Sequence, residues 1–111
     1  MPWPRRRAKY GNRHATVDGR VFDSQHEAGC YLRLKAQQQA GLISGLECQP
    51  VLKIVLKSQL ICRMVPDFRF LKDGQWVYQD AKGMKRGAAY AMFRLKAKLV
   101  QAVLGIQVEE I

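Results

Sequence analysis

Acidic residues are scarce in this chain. Nine Asp and Glu stand against nineteen Lys and Arg over 111 residues, a formal charge of +10 with a pI near 10. None of the nine falls in residues 1 to 13 or between Asp80 and Glu109. A balance of this sign favours polyanionic partners, nucleic acid first and an anionic membrane surface second. No apolar run approaches the roughly 20 residues of a membrane-spanning helix. No apolar segment follows the Arg-rich start, which argues against a secretory signal. Cysteine is also sparse: Cys30, Cys48 and Cys62 have no C-x-x-C spacing, and His14 and His26 complete no zinc pattern. They read as reduced, mostly buried thiols of a cytosolic protein. Internal repeats and low-complexity linkers are missing as well.

What is present is enough for one domain with a real core, since 48% of the residues are hydrophobic. Residues 1 to 14 form a basic arm carrying Arg5, Arg6, Arg7, Lys9 and Arg13, interrupted by Pro2, Pro4 and Gly11. VDGRVF at 17 to 22 predicts a small hairpin around Asp18-Gly19. A helix follows from about Ser24 to Ala40 and stops at Gly41. Apolar runs at 50 to 56, 61 to 71 and 75 to 82 predict three strands. A second helix spans Ala88 to Leu104 with Gly105 as its stop, and a short strand at 106 to 110 closes the chain. The expected order is helix, three strands, helix, strand.

The stretch PDFRFLKDGQWVYQDAKG, residues 66 to 83, carries the most information. Asp73-Gly74 is a strong two-residue hairpin signal. Its register sets Leu71 opposite Trp76, Arg69 opposite Tyr78 and Asp67 opposite Asp80. Directly opposed Cβ atoms lie about 4.5–5.5 Å apart, where like charges destabilise the pair. Alternation along the strand puts Lys82 on the same side as Asp80. The plain structural alternative is a strand irregularity after Pro66 and a solvated Asp80–Lys82 edge pair. A divalent cation removes the repulsion instead, and two carboxylates with a backbone carbonyl and waters make a hard oxygen site for Mg²⁺ or Mn²⁺.

Glu27 is a third acidic candidate. Ser24-x-x-Glu27 has the spacing of a capping box. At 100° per residue, however, Glu27 shares a face with Cys30, Tyr31 and Leu34, the stripe expected to pack on the sheet, so its carboxylate points inward. Gln38 lies on that stripe too.

Pro66-Asp67 followed by Asp80-Ala81-Lys82, with Glu27 on an upstream helix, resembles the PD-(D/E)XK nuclease signature. Asp80 stands where Glu is commoner. More narrowly, KYGN at 9 to 12, VDG-x-x-FDS-x-x-EA from 17 to 28, QP at 49 to 50, PDF and D-x-KG resemble a family of small phage-encoded proteins labelled endonucleases or Holliday junction resolvases. The resemblance covers residues 15 to 111. It implies a mixed α/β (α+β) fold with a restriction-endonuclease-like αβββαβ core, a central mixed sheet flanked by helices. It also implies that Asp67 and Asp80 ligate Mg²⁺ or Mn²⁺ with the Ala81 carbonyl, and that Glu27 is a ligand directly or through water, or orients a second metal-bound water. Lys82 then positions or helps deprotonate the attacking water. Gln49 is an accessory candidate, or an ordinary strand entry.

On this reading the chain is a metal-dependent DNA endonuclease, homodimeric so that two strands are cut symmetrically. The family label points to branched DNA and to phage or prophage origin in a bacterial cytoplasm. Lys85 and Arg86 beside two glycines, and Arg94 and Lys98 four apart on the second helix, are candidate phosphate contacts. Trp76 and Tyr78 are either core residues or base-stacking platforms. Two other classes stay open: a non-cleaving DNA-binding or recombination accessory protein of the same fold, and a basic structural protein in which the acids only stabilise.

Overall fold

The computed structural model describes residues 14–83 and 85–111. The arm residues Arg5, Arg6, Arg7, Lys9 and Arg13 lie outside them. The described residues open with a hairpin of β1 (Ala15–Val17) and β2 (Arg20–Phe22). Its Asp18-Gly19 turn has φ of +52° and +74°, the double left-handed conformation that matches strand twist.

Helix α1 spans Gln25–Gln39, and the Ser24 hydroxyl accepts the Glu27 N–H at 3.1 Å. The helix ends in a Schellman motif. Leu42 N–H donates to the Gln37 carbonyl and Gly41 N–H to that of Gln38, with Gly41 at φ +80°. Gln38, on the inward stripe, accepts the Leu46 N–H at 2.8 Å and so ties α1 to the next strand.

Five strands follow: β3 (Ser44–Cys48), β4 (Leu52–Leu56), β5 (Gln59–Met64), β6 (Phe68–Lys72) and β7 (Gln75–Asp80). Helix α2 (Ala88–Leu104) and β8 (Val108–Glu110) complete the chain. The central sheet has the order β3-β6-β7-β8. Its β3–β6 and β6–β7 pairs are antiparallel, and β7–β8 is parallel because α2 carries the chain back across the sheet. Over the described residues the fold is therefore mixed α+β, with a central mixed sheet and two helices.

The αβββαβ order holds, with a different membership from the one expected. The run 50 to 56 does not join the central sheet; β4 and β5 form a separate two-stranded ribbon. The run 61 to 71 is two strands, because Pro66 has no N–H to offer a ladder and the chain changes partner there. The sheet's first strand is β3, which the apolar pattern did not mark. SGLEC contains Gly45 at φ +64°, inside an irregularity of the β3–β6 register. The strands expected at 75 to 82 and 106 to 110 end at Asp80 and begin at Val108.

Two clusters of buried side chains lie against the sheet. Cys30, Tyr31 and Leu34 of α1 pack with Phe68 and Phe70 of β6. Val100 of α2 packs with Leu52, Ile54 and Met64 of the ribbon and with Tyr78 of β7. Phe70 and its partner Val77 belong to the first cluster, Tyr78 to the second, as alternation along a doubly covered strand requires. Tyr78 is thus core, whereas Trp76 is exposed beneath the Arg69 guanidinium at 4.1 Å. The three thiols are free: Cys30 is buried, Cys48 and Cys62 partly so.

Candidate metal centre

The β6–β7 hairpin has the register read from its turn. Leu71 pairs with Trp76, Arg69 with Tyr78, and the last pair is Phe68 with Gln79. One step further, Asp67 and Asp80 clasp each other. Asp67 N–H donates to Asp80 Oδ1 at 3.1 Å, and Ala81 N–H donates to Asp67 Oδ2 at 2.8 Å. Each carboxylate thus accepts a main-chain proton from the opposite strand. The Asp67 carbonyl in turn accepts the Gln49 N–H at 2.9 Å. Gln49 sits at φ +55° with its side chain exposed, so it supports the site through its backbone.

Lys82 Nζ is 2.8 Å from Asp80 Oδ2. Its ammonium lies 4.0 Å over the ring of Phe93 on α2, a cation–π arrangement. Its N–H donates to the Ile111 carbonyl, and Ile111 N–H donates to the carbonyl of Asp80. Residues 80 to 82 are therefore held as an extension of the parallel β7–β8 ladder. This is why the Lys82 ammonium faces the carboxylates.

Glu27 and Asp80 are the buried charged residues among those described. Both line a cavity of about 600 Å³ together with Asp67, Ala81 and Lys82. Glu27 points inward as the helical stripe predicts; of the capping box the Ser24 half is present, while the main-chain partner of the Glu27 carboxylate is Asp23. Burial raises the Glu27 pKa above the usual carboxylate range, and the Asp23 charge adds to it; contact with Asp67 and the Asp23 N–H oppose the rise.

Asp67 is pushed up to about 8, first by burial, then by its hydrogen bond and charge repulsion with Asp80, against the Ala81 N–H. Burial and the neighbouring Asp80 thus favour the protonated form of Asp67 when no cation is bound. Among the described residues, no group of three or more His, Cys, Asp and Glu has the geometry of a metal cluster. Asp67 and Asp80 are a pair, with Glu27 as their neighbour.

The basic candidates are more dispersed. Lys85, Arg86, Arg94 and Lys98 are exposed. Arg94 also engages Glu110 at 4.0 Å and the Tyr90 hydroxyl at 3.3 Å. The strand and helix patterns alone did not bring out Asp23 or Phe93. Asp23 lies next to the cap at the cavity rim, within the FDS-x-x-EA motif that marks the helix start. Phe93 has no local signal, because its role depends on where α2 crosses β7.

No helix among the described residues is long and apolar enough to cross a membrane. No curated protein and no solved structure matches the chain. A family model does match, over residues 7–105, and by it the chain belongs to the family described as "Protein of unknown function (DUF1064)".

Proposed function

We propose that this protein is a metal-dependent DNA endonuclease of PD-(D/E)XK type. The observation that carries this reading is the Asp67–Asp80 clasp with the Lys82 ammonium at 2.8 Å. A half-buried carboxyl raised to about 8 beside a second carboxylate is a site short of positive charge. The donors there are oxygens, which suit Mg²⁺ or Mn²⁺. Asp67 and Asp80 would hold the cation, with the Ala81 carbonyl, and Glu27, their neighbour, would act through water. When bound, such a cation polarises the phosphate and lowers the pKa of a water.

The chain's own groups do the rest. Lys82, fixed by Phe93 and by the Ile111 pairing, orients the attacking water and offsets charge developing on the phosphate. Lys85 and Arg86, in the segment between the site and α2, grip the scissile strand. A homodimer supplies two sites for symmetric cuts, and branched DNA is the preferred substrate, in phage DNA recombination or processing.

The test is cleavage of labelled four-way junction, flap, linear duplex and single-stranded DNA with Mg²⁺, Mn²⁺ or EDTA, with Asp80→Asn and Asp80→Ala alongside. Metal-dependent cutting by wild type and loss of at least about 10²-fold in both variants is expected, the scale of a lost charge-stabilising group. Binding without cutting in every lane leaves the accessory DNA-binding role as the function. Paired symmetric cuts confined to the junction identify a resolvase.

A further inference from the structure

The β4–β5 ribbon is not explained by the carboxylate site. Its inner residues Leu52, Ile54 and Met64 are buried against α2, but Val55, Leu56, Leu60 and Ile61 near its turn are 43% to 48% exposed. Val55 pairs with Leu60, while Ile54 pairs with Cys62, so Ile61 is the extra residue of a bulge. A bulge there increases twist and re-aims the tip. The turn, Lys57-Ser58, has φ of +51° and +64° at both positions. Asn or Gly fits such a turn with less strain, yet here it presents a lysine.

Charge decides what this apolar tip meets. Residues 48 to 66 contain Lys53, Lys57 and Arg63 and no acid. Lys53 and Arg63 are paired across the ribbon. Two copies meeting tip to tip would oppose like charges, whereas a polyanion with apolar planes between its charges is complementary. The ribbon also leads directly into the metal centre: Val65, just past β5, lines the same cavity as Asp67 and Asp80. The six extended residues of β5 separate Val65 from the turn, a reach of about 20 Å, or roughly six base pairs.

We propose that the β4–β5 ribbon is a second DNA-contacting element whose apolar tip wedges against unstacked bases at a branch, while Lys53, Lys57 and Arg63 hold the flanking phosphates. Apolar side chains inserted at distorted steps are a general means of recognising bent or opened DNA. The inference takes the DNA ligand from the reading above and does not depend on cleavage.

It is tested in EDTA, where no metal-dependent cutting occurs. The probes are a four-way junction with 2-aminopurine at the branch and a continuous duplex with the same base at its centre. Wild type should raise the junction fluorescence and leave the duplex nearly unchanged. Leu60→Ser with Ile61→Ser should abolish most of that rise and weaken junction binding about tenfold, toward the duplex affinity. Lys57→Glu should weaken binding to both.

Melting and sedimentation are run on the same samples. Retention of the rise by a folded double variant overturns the wedge, as does junction binding by wild type with no rise. A double variant that changes from dimer to monomer while keeping the rise assigns the tip to a second copy and also overturns it. A rise that the double variant loses, in a protein that cuts nothing when Mg²⁺ is restored, upholds the ribbon and removes the nuclease reading instead.

Discussion

Asp67 concentrates the chemistry of the molecule in one titration. An acid raised to about 8 binds its proton more tightly folded than unfolded. Its contribution to stability is full below the unfolded value near 4 and is lost as pH rises toward 8. The metal-free melting temperature should therefore fall between pH 5 and 8 in wild type, and fall less in Asp67→Asn. A divalent cation displaces that proton, so the melting shift caused by Mn²⁺ should grow over the same interval. An equal Mn²⁺ shift in Asp67→Asn would remove Asp67 from the ligands. The opposition of Asp67 to Asp80 was legible because a two-residue turn fixes register. Its raised pKa was not, because the cavity that Asp67 shares with Glu27 depends on how α1, far away in sequence, packs on the sheet.

At the scale of elements, both helices lie within a residue of where caps and glycines place them, Gln25–Gln39 and Ala88–Leu104. Their boundaries are local chemistry. The Ser24 hydroxyl holds the first turn of α1 and, through it, the entry of Glu27 into the cavity. Ser24→Ala should cost about 1 kcal/mol, a fall in melting temperature of about 4–8 °C by calorimetry. No measurable change would mean that the cap does not hold this turn. Strands were less legible. The Gly45 bulge hides β3 from any test for alternation, and the backbone there, at φ +64°, is in the left-handed region that favours glycine. Conversely, LKIVL reads as a sheet strand but serves the ribbon, because periodicity reports that a strand is half-buried and says nothing of its partner.

For the whole molecule, the charge of +10 makes salt the decisive variable for DNA binding. Log affinity should fall linearly with log salt, each phosphate contact adding about 0.9 to the slope on duplex. Lys85→Ala with Arg86→Ala should lower the slope by about 2 if both residues touch phosphates. An unchanged slope places them outside the interface. The excess of cations, the two helices, the β6–β7 register and the Asp67–Asp80–Lys82 constellation were all determined by the sequence. Each depends on composition or on residues within about fifteen positions, where turn geometry and helical period are decisive. Tertiary structure alone decided that β3 rather than β4 borders β6, that Phe93 lies under Lys82, and that Glu27 and Asp80 share a cavity. Those facts depend on how α1, α2 and the ribbon pack on the two faces of one sheet, and packing is set by the sum of side chains distant in the chain.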